Sequence, residues 1–447
     1  MVRQRFLVGR AAQLVVAIAL TGGAGVRLHA APAEKPIILV DATSDASYNG
    51  ALLEAAVTDA ENAGKILQLE AGIYRITSSL YLLPGMELIG TNETVDLDGD
   101  MVPDEISSNV FVRPQTETVI DGSAIVANPI PNHFDDCLNP PHIWPLPALG
   151  PVVAAGRQNR LARLTIQGIA NATLLVAFGF DNALAVDGGW HTTIEDSVLR
   201  SGAQSFFANA GCGAVGFTST LEVTRSVFYQ QFLGMGLVNF VTANPLGDGS
   251  TLHATMRHNR FGGTVAGLFL AAGRGDAENS ELGLASIGNV FENNSFGIVA
   301  SGGEVLGPQL LPNFLDQLSR GNRVSLLSLQ DTFTANQTGL FIRGASGFPS
   351  VPSSNTSNNR AQAELIGTNF IGNVVEDIRL VGGVGAVQDN VARLLLRHPT
   401  GGGRLTVIDN QDSSGSNNTA TVIGSMKGFI VTTGWDSPPE DFFSPDR

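Results

Sequence analysis

The sequence predicts an all-β solenoid: a right-handed, single-stranded parallel β-helix with a short capping helix at its N-terminal end. Three observations point there. A phrase of the form apolar-x-x-Ser/Asn-x-Phe recurs, as Val223-Thr224-Arg225-Ser226-Val227-Phe228 and Met256-Arg257-His258-Asn259-Arg260-Phe261, with looser copies ending at Leu199, Phe291, Phe333 and Phe370. Successive ends lie 29, 33, 30, 42 and 37 residues apart. In three copies a Gly-apolar-x-apolar phrase starts six residues after the Phe, at Gly267, Gly297 and Gly339. Finally, 447 residues with 15% charged side chains and 52 glycines are too many for one ordinary domain of ~100–200 residues, and too weakly charged for long surface helices. Stacked coils resolve this, because each coil buries its apolar face against the next. A sandwich or propeller would need Asn-Gly or Asp-Gly hairpin turns between paired apolar runs, and few occur.

Taken in order, residues 1–31 read as a cleavable export signal: Arg3, Arg5 and Arg10, then the apolar run Ala11–Leu20, then small residues. That run is too short to span a bilayer, which takes ~20 apolar residues. The β-helix is expected over 37–430. It starts with the strand Ile37–Val40 and a helix over Tyr48–Gly64, with Asn49 as its cap and Gly64 as its end. Short strands follow at Ile66–Leu69, which alternates on into Glu70–Ile76, and at Ser79–Leu83, Met86–Gly90 and Thr118–Ser123. Within each later coil the Phe is expected to join an interior stack. The Asn or Ser two residues earlier is expected to bond to turn backbone. Unequal intervals mean a constant coil with variable loops, and composition marks insertions at 93–115, 127–151, 302–322 and 346–359, with a polar tail at 431–447. Cys137 and Cys212 are the two cysteines. They either bridge two insertions or stay apart.

Net charge is −15, and Lys35, Lys65 and Lys427 are the three lysines. Such a surface repels phosphate backbones, which excludes nucleic acid as a partner. It also favours a neutral glycan or a Ca²⁺-bridged uronide over a bare polyanion.

Several phrases resemble the pectin-lyase-like superfamily of right-handed parallel β-helix proteins. Glu70-Ala71-Gly72-Ile73-Tyr74-Arg75-Ile76 is similar to the opening of its pectate-lyase-type members. Leu83–Gly90 resembles the strand that follows, Thr118–Ser123 resembles the "viDGs" phrase, and Leu164–Phe370 resembles the Asn-x-Ile/Phe coils. The resemblance implies a helix capping the open end of the first coil. It also implies a polysaccharide-related protein, which the expected export signal makes secreted or periplasmic. That protein is either a polysaccharide lyase or glycoside hydrolase, or a non-catalytic surface, adhesion or glycan-binding module. The motif sets of polygalacturonases, mannuronan epimerases and pectate lyases are missing, so no family catalytic residue transfers.

Two local patterns carry chemistry. Asp96-Leu97-Asp98-Gly99-Asp100-Met101-Val102-Pro103-Asp104-Glu105 places Asp96, Asp98, Asp100, Asp104 and Glu105 so that their carboxylates can converge on a Ca²⁺ ion, which takes six to eight oxygens. A solvated acidic turn is the other reading. The position three before each terminal apolar residue forms a column, Asp196, Arg225 and His258, preceded by Glu195, Thr224 and Arg257. Glu195, Asp196, Arg225, Arg257 and His258 could abstract a proton and stabilise charge, as uronide β-elimination requires. An exposed ion-pair ladder is the alternative. Trp190 is either a sugar platform or a buried ring.

Overall fold

Outward and inward side chains alternate along each short strand, so a single coil leaves its apolar half uncovered until the next coil lies on it. The computed structural model describes residues 35–93, 96, 99–104, 116–126, 151–168, 174–178, 189–202, 204–210, 215–229, 240–244, 249–274, 277–305, 318–347, 355–411 and 415–433. Its strands form three long parallel sheets, of 12, 9 and 11 strands, here the first, second and third. One coil runs Glu281–Ile287 in the first sheet, Val290–Glu292 in the second and Phe296–Glu304 in the third. The next coil lays Arg323–Leu329, Thr332–Thr334 and Thr338–Ser346 on these in register. Neighbours within a sheet are therefore successive coils. Parallel crossovers of this kind wind right-handed in about 98% of cases. Strands run from Ile37–Val40 to Ile430–Thr433, and a small fourth sheet of Ala277–Glu278, Ser319–Arg320 and Thr356–Ser357 braces the corner before the first sheet. No helix among the described residues is long and apolar enough to cross a membrane.

The terminal residues of the recurring phrase are register partners: Leu199 with Phe228, then Phe261, Phe291, Phe333 and Phe370. Rings from Phe228 to Phe370 stack at 4.8, 5.0, 5.0 and 5.2 Å between centroids. The repeat spacing thus records the coil length, and its spread records the loops. The Gly of Gly-apolar-x-apolar has a steric cause. A Cβ on Gly297 would stand 2.5 Å from the Gly339 carbonyl oxygen and 2.6 Å from the Phe333 ring.

Many corners among the described residues share one two-residue device: a left-handed residue, then an Asn, Ser, Thr or Asp that is mostly buried. Between the first and second sheets the left-handed residues include Asp196, Arg225, His258, Gly288, Gln330 and Gly367, with φ from +46° to +62°. After them come Ser197, Ser226, Asn259, Asn289, Asp331 and Thr368, all buried. The side chains from Ser197 to Asp331 accept from the backbone of the preceding coil, as when Ser226 N–H donates to Asn259 Oδ1 (2.9 Å) and Asn259 N–H to Asn289 Oδ1 (2.8 Å), whereas Thr368 Oγ1 donates to the Ser328 carbonyl at 3.2 Å. A second ladder, Thr264, Asn294, Asn336 and Asn373, turns the chain into the third sheet. A third, Ser280, Asn322, Asn359, Asn390 and Asn418, turns it back to the first. A side-chain amide presents both a donor and an acceptor, so one residue satisfies turn groups of two coils.

The capping helix lies at Ala46–Thr58, with Asp45 rather than Asn49 as its N-cap; Asp45 Oδ1 accepts from Ser47 N–H and Tyr48 N–H. Asn49 is fully buried instead, donating to the Thr43 and Ile73 carbonyls and so docking the helix on the first coil. The helix ends at Asp59, before a 3₁₀ turn at Ala60–Asn62, and Gly64 serves that later turn with φ +72°. The expected insertion at 302–322 begins later, since Gly302–Glu304 complete a third-sheet strand, and Ser319–Asn322 are structured. The expected signal, Cys137, Cys212 and most of 127–151 lie outside the described residues.

Candidate functional site

The structure stacks the corner column as its spacing predicts. Asp196 N–H donates to the Thr224 carbonyl, Arg225 N–H to the Arg257 carbonyl and His258 N–H to the Ile287 carbonyl. The reason for the column is the left-handed turn itself. Arg225 grips Asp196 with two bonds, Nε to Oδ1 at 2.7 Å and Nη2 to Oδ2 at 2.8 Å. That carboxylate holds the Arg225 proton more firmly than usual. Glu195, one position earlier on the first sheet, accepts from Arg160 Nη2 at 2.8 Å, and Arg160 also reaches Glu87 at 3.5 Å. Both carboxylates are therefore engaged by arginines that stay about half exposed, 48% for Arg225 and 41% for Arg160. Arg257 is exposed; the His258 ring packs over Gly288, where an added Cβ would lie 2.9 Å from Nδ1. Two ion pairs result, Arg225 with Asp196 at the corner and Arg160 with Glu195 on the first sheet. Trp190 is no sugar platform: its ring is buried, and Nε1 donates to the Asn209 carbonyl at 2.8 Å.

In the acidic loop, Asp98 and Glu105 lie outside the described residues. Asp96 accepts from Gly99 N–H (2.7 Å) and Met101 N–H (3.0 Å), and Asp100 from Val102 N–H (2.7 Å). Asp104 stands 3.7 Å from Arg260, whose Nε donates to the Pro103 carbonyl at 2.8 Å and whose Nη1 pairs with Glu292 at 3.0 Å. The loop is thus pinned to the second sheet 157 residues downstream. Among the described residues no three His, Cys, Asp or Glu side chains are grouped to hold a metal.

Sequence reasoning missed a third place, the outward side of the third sheet. There Phe269, Val299 and Phe341 occupy the x position of the Gly-apolar-x-apolar phrase in successive coils. In the next coil the same position is Arg379, and after it Thr406. Two columns over, Ser301 is followed by Arg343. These polar groups are buried: Arg343 is 6% exposed, Arg379 9%, Glu304 7% and Glu376 4%. Arg343 pairs with Glu304, donates to Ser301 Oγ at 3.2 Å, and lies 5.6 Å from the centroids of both Phe269 and Phe341. Burial draws its guanidinium below the usual range, while Glu304 opposes that. Arg379 meets Glu376 through Nη1 at 3.3 Å and sits 6.0 Å from the Phe341 ring, and Thr338 Oγ1 also donates to Glu376. The signal was in the sequence: Asp377-Ile378-Arg379-Leu380 is a further copy of the phrase, with Asp for Gly and a cation at the outward position.

No protein-family profile matches the sequence, and no curated protein matches it significantly. Among solved structures, the chain is similar to the A-module of a mannuronan C-5 epimerase from Azotobacter vinelandii (15% identity, 88% of this chain and 98% of that one, TM-score 0.28). It is also similar to a family 28 exopolygalacturonase from Yersinia enterocolitica (12%, 91% and 79%, TM-score 0.33). A third likeness is to a surface adhesin of Streptococcus pneumoniae (10%, 86% and 86%, TM-score 0.30).

Proposed function

We propose that the chain is an exported, polysaccharide-handling β-helix protein whose working surface is the outward side of the third sheet between Phe269 and Thr406. One observation carries this reading. In a solenoid with 15% charged residues, two arginines and two glutamates are buried together on one sheet face, beside aromatic rings. Buried charges oppose folding unless paired, and they gather where a ligand is held. Aromatic rings beside guanidinium groups suit a sugar, which offers both C–H faces and hydroxyls. The family phrases in the sequence add to this reading. The corner set of Glu195, Asp196, Arg225, Arg257 and His258 is read as a stabilising ladder. A Ca²⁺ ion at Asp96, Asp98, Asp100, Asp104 and Glu105 belongs to the same proposal, as a brace for the pinned loop.

The test is a panel of neutral and acidic polysaccharides, with Ca²⁺ or with chelator, read for binding, unsaturated products and reducing ends. Binding that Arg343→Met abolishes while Asp196→Asn leaves intact is the expected result. Product formation lost in Asp196→Asn would return the chemistry to the corner. Absence of any interaction with any glycan would end the reading.

A further inference from the structure

We infer that residues 434–447, which follow the last described strand, cover the C-terminal end of the solenoid with Trp435, Phe442 and Phe443, and that this cover keeps the end from pairing with a second copy of the chain. The two ends differ. At the N-terminal end the helix Ala46–Thr58 packs on the first coil and buries Leu53 and Val57. At the other end Thr419–Gly424 and Ile430–Thr433 are the outermost strands of the first and third sheets, and among the described residues no strand pairs with their outer edges. Ile423 (47% exposed), Met426 (40%), Ile430 (73%) and Val431 (42%) all stand open in this one coil. Val431 is the register partner of Leu405, which is fully buried, so an inward column of the core reaches the end of the molecule with its last member uncovered. Phe429 closes the Phe stack edge-on to Phe370, at 6.0 Å.

Position, reach and charge select the segment after Thr433 as the occupant. Each coil runs through the first, second and third sheets in turn, so the chain leaving Thr433 in the third sheet heads for the corner before the first, beside the free edge of Thr419–Gly424. Fourteen extended residues reach about 46 Å, twice the roughly 23 Å of a seven-residue strand such as Arg404–Asn410, which is enough to cross the end. The segment carries Asp436, Glu440, Asp441 and Asp446 against Arg447. The described residues of 391–433 carry the opposite balance: Arg393, Arg397, Arg404 and Lys427, all exposed, against Asp409. In a chain of net charge −15 this end is positive, and an acidic segment with three aromatic rings complements both its charge and its aliphatic side chains. Two C-terminal ends brought together would instead set like charges against each other. An open strand edge beside apolar side chains nevertheless templates pairing with another chain. Pro438, Pro439 and Pro445 have no N–H to donate, so the segment laid along that edge offers no further ladder.

Hydrogen exchange on the full chain, paired with light scattering over a range of concentrations, tests the inference. The unsubstituted chain should be monomeric and should protect the amides of Thr419–Gly424 and Ile430–Thr433. Trp435→Ser combined with Phe442→Ser and Phe443→Ser should speed exchange of those amides at least tenfold and give a mass that rises with concentration. Exchange in the coil Glu281–Glu304 should stay as it was, which separates an opened end from general unfolding. Asp436→Asn combined with Glu440→Gln and Asp441→Asn should reproduce part of the effect. Should the triple aromatic variant fail to fold, Trp435→Ser alone and the charge variant still decide. Exchange and mass indifferent to all of these substitutions overturn the inference. So does an unsubstituted chain whose protection at Thr419–Thr433 fades on dilution together with its mass, since that result gives the end to a second copy.

Discussion

Asp331 occupies a ladder rung whose neighbours on either side are Asn289 and Thr368. Its carboxylate is fully buried, with Oδ1 accepting from Asn289 N–H at 2.8 Å and Oδ2 from Ser328 Oγ at 2.7 Å. Burial pushes its pKa up from 3.8 to about 6, against the pull of Ser286, Ser328 and Asn289. The folded chain therefore binds this proton more tightly than the unfolded chain. Its contribution to stability is full below about pH 4 and is lost as pH rises through about 6. A shift of about two units corresponds to about 3 kcal/mol. Asp331→Asn, which restores the ladder's amide, should leave the unfolding free energy nearly unchanged at pH 4 and raise it by about 2–3 kcal/mol at pH 7, as measured by urea denaturation. At the same scale, Arg225 and His258 hold left-handed turns that suit Gly or Asn better, at roughly 1–2 kcal/mol each. Their charges drew attention to the column in the sequence, but the backbone required the column with or without them.

Among the elements, the Phe stack and the pinned loop separate local from long-range determinants. Phe291 is fully buried between Phe261 and Phe333, so Phe291→Ala removes a ring from the middle of a continuous stack. It should lower the unfolding free energy by about 3–5 kcal/mol, read from chemical denaturation. The stack was legible because each ring recurs at one place in the coil. The capping helix was legible as an element but not at its ends. Asn49 satisfied the usual cap chemistry in sequence, yet the Ile73 carbonyl of the adjacent coil claimed its amide, and Asp45 took the cap. The second and third Asn ladders were equally periodic, as in Gly321-Asn322, Asn358-Asn359, Asp389-Asn390 and Asn417-Asn418. They were not recognised because their period shows only when read from the corners rather than from the Phe. Nothing local indicates that Arg260 reaches Pro103 and Asp104. Arg260→Ala should release that loop, giving faster proteolytic cleavage within 93–104, while Tm moves by only a few degrees.

For the whole molecule, the solenoid was legible in the letters alone: the coil period, the inward column of rings, the glycines at close approaches and the cap on the first coil. These follow from constraints that repeat every coil, so each is written several times and the copies reinforce one another. Where charge is buried follows from how the coils stack. Arg343 and Arg379 come 36 residues apart in the chain, and Glu304 stands 39 residues from Arg343. What brings them onto one side of the third sheet is the register of three coils whose connecting loops differ in length. Coil geometry is a short-range, periodic property, and a binding surface across coils occurs once, which is why the first was readable in the letters and the second had to be folded to be seen.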